Sequence, residues 1–270
     1  MFLYLWMMIQ VLVETLPVSS SGHVALMHKI AEKCNWQMPE VVMAQSWAFD
    51  YVLQGVSALL FVVYFFTIWW KLVIDRPVHL AALADRKVWK HIFTKVLLFG
   101  IAADAMTFFC WVIKIDQLIQ LPLACGFSIT ALSLYSLAYA PVSKKIDIWD
   151  VRSGLLLGLV QGCALLPGIS RFGTTFTALR WLGYKNDDAF AFSFLIQWPL
   201  IFAGSLLGLK ALVDAGLLQK IMTLPLLICM TLAGIVAYWL FCWVHVMIEK
   251  NLLWKFCYYM IIPVVLALVI

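Results

Sequence analysis

The chain has 270 residues, of which 64% are hydrophobic and 12% charged, whereas a soluble domain carries roughly 45–50% and about 25%. A water-exposed exterior cannot be built from that composition, so an ordinary soluble fold is excluded and lipid is the implied solvent. The net charge of +5 comes from Lys and Arg that punctuate apolar segments and form no single basic patch, which argues against a nucleic-acid partner.

In chain order, the first apolar stretch is Met1–Leu16. It lacks the basic start and small-residue cleavage site of a signal peptide and carries Glu14, so it reads as mature structure. Six later segments have the roughly 20 residues needed to cross a hydrocarbon core: Trp47–Trp70, His91–Ile113, Leu118–Ala140, Ala189–Leu209, Leu224–Met247 and Leu252–Ile270. Between the first two, from Asp75 to Lys90, basic and apolar residues mix at helical spacing, which predicts an interfacial amphipathic helix. Gly154–Leu166 is a second short apolar stretch. Seven cysteines (34, 110, 125, 163, 229, 242 and 257) fall mostly in apolar stretches without metal-like spacing and read as free thiols.

Both short stretches run into a proline followed by small and hydroxylated residues, Leu16-Pro17-Val-Ser-Ser20 and Leu166-Pro167-Gly-Ile-Ser170, offset by 150 residues. Short apolar pieces broken by Pro and Gly predict re-entrant hairpins, tolerated at membrane depth only where protein or a cavity covers them. Three crossings follow each hairpin, so the second half is expected to be inverted relative to the first. The expected fold is an all-α integral membrane protein in one domain, 1–270. It has six transmembrane helices and two re-entrant helical hairpins, with repeat halves of about 1–140 and 147–270. Placing the loop from Lys71 to Lys95 in the cytoplasm puts thirteen Lys and Arg inside and five outside, with Arg171 held apart within the membrane. Both termini are then outside.

The chemistry is expected at the two hairpins. Gln10 and Glu14 are four residues apart and share a helix face. A carboxylate at spanning depth costs on the order of 2.5–3.5 kcal/mol and needs a partner or a task. Pro17 ends that helix, and Ser19, Ser20 and Ser21 offer caps and hydroxyls for the next, whose N-terminus favours an anion such as phosphate. The second hairpin supplies Arg171, whose planar fork suits phosphate oxygens, among Gly168, Ser170, Gly173, Thr174 and Thr175. If the tips meet, Glu14, Ser20, His23 and Arg171 form one constellation of carboxylate, nucleophile, acid/base and anion clamp. Gln10, Ser19, Ser21, Gly168, Ser170, Gly173, Thr174 and Thr175 would then be the surrounding substrate-binding residues. The same arrangement also suits an inverted-repeat transporter or flippase for an anion, which the resemblance given next would make a polyprenyl phosphate.

Gln10-x-x-x-Glu14-x-x-Pro17-Val-Ser-Ser-Ser-Gly-His23 resembles the (E/Q)xxxE…LPVSSTGH segment of the undecaprenyl-diphosphate phosphatases, the bacitracin-resistance family. Gln161-x-x-Ala-Leu-x-Pro167-Gly-Ile-Ser-Arg171-x-Gly-x-Thr175 resembles that family's second motif. The similarity extends to Phe49–Gly55 and Ser193–Pro199, and so over nearly the whole chain. The resemblance implies a hydrolase of the bacterial cytoplasmic (inner) membrane with its site facing the outer side. It would convert a C55 polyprenyl diphosphate to the monophosphate and inorganic phosphate, recycling the lipid carrier of peptidoglycan synthesis. It further implies a divalent cation, Mg2+ or Ca2+, with Glu14 as candidate ligand. Glu14 becomes the essential carboxylate, Ser20 the candidate nucleophile, His23 an acid/base or rival nucleophile, and Arg171 the phosphate ligand; direct attack by water stays open. The expected partners are the polyprenyl diphosphate lipid and the bilayer, with a homodimer as candidate assembly. The sequence departs from the family pattern in Phe172 for the Ser after the Arg, Ser21 for Thr, Gln10 for Glu and Met260 for an Arg.

Overall fold

The computed structural model describes residues 2–37, 39–75, 86–141 and 151–270, without the side chains of 67–93, 95 and 96. Among the described residues the chain is all-helical, with twelve α-helices and no strand. They are α1 (Phe2–Glu14), α2 (Ser20–Lys33), α3 (Glu40–Asp75), α4 (Arg86–Val112), α5 (Ile115–Leu118), α6 (Leu123–Ser136), α7 (Val151–Cys163), α8 (Arg171–Trp181), α9 (Asn186–Asp214), α10 (Leu218–Ile221), α11 (Leu224–Glu249) and α12 (Phe256–Val269). Backbone groups in lipid must be satisfied within their own segment, which is why apolar runs of this length become helices.

Among the described residues, three helices are long and apolar enough to cross a membrane: Glu40–Phe66 of α3, α9 and α11. Shorter apolar helices lie at Phe2–Glu14, Leu97–Val112, Leu123–Tyr139, Val151–Cys163 and Leu253–Val269. Each of the six expected crossings therefore coincides with an apolar helix, with different ends. The first starts earlier, at Glu40, because a kink at Gln45 (φ −150°, ψ 55°) joins a short lead-in to the span. The third starts later, at Leu123, because α5 and Pro122 precede it. The predicted amphipathic segment, Lys144 and Lys145 lie wholly or mostly outside the described residues.

The main packing partners are α3 with α9, α4 with α7, α6 with α12, and α1 with α11. Small residues allow these approaches, as in membrane bundles generally. Gly208 of α9 lies against the Ala48 backbone of α3, and Gly154, Gly158 and Gly162 line the face of α7 that meets α4. Large side chains such as Leu59, Leu132, Trp239 and Leu268 remain 68–72% exposed on the outside, an apolar surface that lipid accepts and water does not. Core and exterior are thus both apolar, and the protein is a membrane protein.

Polar contacts join the helix ends in two sets. Lys33 Nζ donates to Val269 O at 3.2 Å, and Lys220 pairs with Glu40 at 2.7 Å. In the other set, Asn186 Nδ2 donates to Ile248 O at 2.7 Å, and an Arg180 amino group donates to Pro141 O at 3.3 Å.

Candidate active site

Each hairpin is shaped by its proline. Pro17 has no N–H and pushes its predecessor out of the helical region, so α1 stops at Glu14. The chain turns through residues 15–18 and restarts at Ser20 behind Ser19, whose hydroxyl accepts from Gly22 N at 3.2 Å. Ser19 holds φ 67°, unusual for a residue with a side chain. The second hairpin repeats the plan. α7 ends at Cys163, Gly168 takes φ +87°, and Ser170 caps α8 by accepting from Gly173 N at 3.1 Å. Thr130 of α6 pins this turn: its hydroxyl donates to Gly168 O and accepts from Ser170 N, both at 2.8 Å.

The two tips touch. A Cβ on Gly22 would lie 2.7 Å from Gly168 Cα, and one on Gly173 would lie 2.8 Å from the Pro17 carbonyl oxygen. Only glycine permits either approach.

Beside this seam lies a polar cleft of about 40 Å³. That is more than the ~10–15 Å³ one water requires. The first hairpin contributes Glu14, Ser19, Ser20 and Ser21, the second Ser170, Arg171 and Phe172, and the flanking helices add Gln54 from α3 and Gln197 from α9. Ser20 donates its hydroxyl hydrogen to Glu14 Oε2 in a short contact. Arg171, the first residue of α8, has its Nε buried without an acceptor among the described residues. Glu14 and Arg171 line the same cleft yet form no ion pair with each other. The cleft therefore presents a hydroxyl–carboxylate pair facing a cation that still needs an acceptor.

His23 is placed differently. Its Nδ1 lies 2.7 Å from Ser19 O, and a carbonyl can only accept, so Nδ1 carries the proton. Its Nε2 then accepts from the Tyr259 hydroxyl at 2.9 Å. The ring stacks on Tyr259 at 5.8 Å and meets the Phe127 ring edge-on at 5.3 Å. It does not line the cleft.

Comparison with known proteins bears on this geometry. The family described as Bacitracin resistance protein BacA matches residues 4–266. A protein of Geotalea daltonii named undecaprenyl-diphosphatase is 30% identical over 270 residues, covering 97% of this chain and 94% of its own length. One of Thermotoga petrophila with the same name is 27% identical over 96% of this chain and 95% of its own. A third, from Synechococcus sp. WH7803, is 34% identical over a shorter stretch, 55% of this chain and 52% of its own. The chain belongs to the BacA family.

With the BacA motifs mapped onto the fold, the predicted site residues divide into groups. Glu14, Ser19, Ser20, Ser21, Ser170 and Arg171 are brought together. Gly168 and Gly173 form the seam between tips. Thr174 and Thr175 turn their hydroxyls back to Ser170 O and Arg171 O, at 2.7 and 2.8 Å, and serve their own helix. Gln10 is fully buried, with neither amide atom paired among the described residues, and is not part of the cleft lining. Phe172, one of the departures from the resembled motif, lines one edge of the cleft and packs its ring 4.7 Å from Phe194. Met260, another of the four departures, is completely buried.

Sequence reasoning marked the stretches Phe49–Gly55 and Ser193–Pro199 without assigning Gln54 and Gln197 to the site. The signal was available, because an amide in an otherwise apolar span is costly unless it has a use. Asp50, which accepts from Trp6 Nε1 at 2.6 Å, and Tyr259 were missed for another reason: their partners are 44 and 236 residues away.

Proposed function

We propose that the protein is an undecaprenyl-diphosphate phosphatase. It removes the terminal phosphate of the C55 lipid and returns undecaprenyl phosphate for envelope polymer synthesis. Membership of the BacA family and full-length relatives named undecaprenyl-diphosphatase support this reading. The observation that carries it is the Ser20 hydroxyl donating to Glu14 in a cleft also lined by Arg171, whose buried Nε has no partner among the described residues.

In this reading the isoprenoid tail stays in lipid while the diphosphate enters the cleft, where Arg171 and the N-terminus of α8 take its oxygens. Glu14 removes the Ser20 proton as Ser20 Oγ attacks the terminal phosphorus. The bond from that phosphorus to the bridging oxygen breaks, and undecaprenyl phosphate leaves. Glu14 gives that proton to the departing phosphate oxygen, then takes one from the water that attacks the phosphoserine and returns it to Ser20 Oγ as inorganic phosphate leaves. His23 positions the cap of α2 through Ser19 O and takes no part in the displacement. The donor set of one carboxylate, serine hydroxyls and two glutamine amides suits a hard cation shared with substrate phosphates. Glu14 would hold Mg2+ or Ca2+ there, and such an ion neutralises charge on the transferred phosphoryl group when bound.

The layout belongs to the same proposal: six crossings, two re-entrant hairpins and an inverted repeat that exchanges α1, α3, α4 and α6 with α7, α9, α11 and α12. Its support is that the α4–α7 contact exchanges into α11–α1, while α3–α9 and α6–α12 exchange into themselves. The two sets of end contacts fall on opposite faces of that layout, with Lys33, Glu40, Lys220 and Val269 outside. The cleft then opens to the outer side of the cytoplasmic membrane.

The test is phosphate release from polyprenyl diphosphate by detergent-purified protein with Mg2+ or Ca2+. Ser20→Ala, Glu14→Gln and Arg171→Ala should each lower turnover by about 10²-fold or more. His23→Ala should stay within about tenfold of the parent. Substrate binding without phosphate release by the parent would select the transporter reading. A His23→Ala loss as large as that of Ser20→Ala would move the nucleophile to the imidazole.

A further inference from the structure

At the ends of α9 and α11, away from the phosphate cleft, three side chains converge. Asp187 and Glu249 are exposed, His245 is half-buried, and one ligand-type atom from each lies within 4.8 Å of the other two. His245 Nε2 is 3.8 Å from Asp187 Oδ1. His245 and Glu249 are one helical turn apart on α11, and Asp187 is in the first turn of α9.

Three features distinguish this group from a chance surface cluster. The imidazole is oriented from behind: its Nδ1 shares a short hydrogen bond with the Tyr64 hydroxyl, and its ring lies parallel to Phe190 at 4.9 Å and 4°. A ring held through one nitrogen directs the lone pair of the other, the arrangement found behind metal-binding histidines. The two helix ends are tied together one residue away from the carboxylates, where Asn186 Nδ2 donates to Ile248 O at 2.7 Å and to Asn251 Oδ1 at 2.9 Å. Glu249 is the last residue of α11, the end at which the helix dipole disfavours an anion. A bound cation would offset that cost.

We infer that Asp187, His245 and Glu249 form a binding site for a divalent first-row transition metal, Zn2+ being the best match. One imidazole with two carboxylates suits Zn2+ better than Mg2+ or Ca2+, which take oxygen ligands. Ligand atoms around a tetrahedral Zn2+ stand about 3.3–3.4 Å apart, so the two exposed carboxylates need swing inwards by only about 1 Å. Three protein ligands leave a fourth position for water or a further group.

The full-length protein in detergent, stripped with chelator and with its thiols alkylated, is titrated with Zn2+ alone by calorimetry. One equivalent should bind, and excess Mg2+ should not displace it. His245→Gln and Glu249→Gln should each weaken binding at least tenfold, and Tyr64→Phe by about tenfold as a positioning residue. Co2+ substituted for Zn2+ should give visible absorption in the parent that is lost in His245→Gln. Asp187→Asn removes an exposed group and guards against misfolding as the cause: the parent's thermal midpoint should rise with Zn2+, and the midpoint of this variant should rise less. Absence of a bound equivalent, or binding unchanged in His245→Gln and Asp187→Asn, overturns the inference. None of these readouts uses phosphate release, so the outcome is independent of the proposed activity.

Discussion

At the scale of single residues, the site works through what each polar group is denied. Glu14 has a serine hydroxyl instead of a guanidinium and so can act on that hydroxyl as a base, while Arg171 has a buried Nε with no acceptor among the described residues and so can take a phosphate oxygen. Phe172 shows the opposite economy. In place of a clamp hydroxyl it puts a 3%-exposed ring among Phe176, Phe190 and Phe194. Phe172→Ser puts a hydroxyl at the cleft edge, yet empties part of that cluster. We expect a stability loss of about 3 kcal/mol, measured as a lower thermal midpoint in detergent, with phosphate release per folded molecule retained. Glu14, Ser20 and Arg171 were legible in the sequence because charge and hydroxyls stand out in an apolar chain. The setting of His23 was not, because its controlling neighbours, Tyr259 and Phe127, come from distant segments and look like ordinary lipid-facing aromatics.

At the scale of elements, the hairpins depend on glycine where two backbones meet. Gly173→Ala drives a methyl into the Pro17 carbonyl, and Gly22→Ala drives one into Gly168 Cα. Neither obstacle is a flexible side chain, so each substitution should cost about 1–3 kcal/mol. Each should also lower phosphate release more than a control such as Gly100→Ala, where an added Cβ meets nothing within 4 Å. The turns themselves were readable, since Pro17 and Pro167 announce a break and the serines announce a cap. Helix ends were less so: α3 starts at Glu40 because the kink at Gln45 lets a lead-in continue, and hydropathy carries no trace of a local dihedral. The partners of each helix were likewise hidden, because glycine stripes such as Gly154, Gly158 and Gly162 specify close packing without naming the neighbour.

At the scale of the whole molecule, the proposed layout would put Cys34, an exposed residue just beyond α2, on the outer side of the membrane. A variant retaining only that cysteine should react with a membrane-impermeant maleimide in intact cells; reaction only after lysis would reverse the orientation. The tip-to-tip glycine seam reaches further. The carboxylate and the guanidinium are donated by opposite halves of the chain, and they share one cleft through packed surfaces rather than through peptide continuity. Fragments 1–141 and 151–270, produced together, should reassemble in the bilayer and recover phosphate release, while either alone is inert. The catalyst is in this sense a complex of two partners that happen to share one gene product.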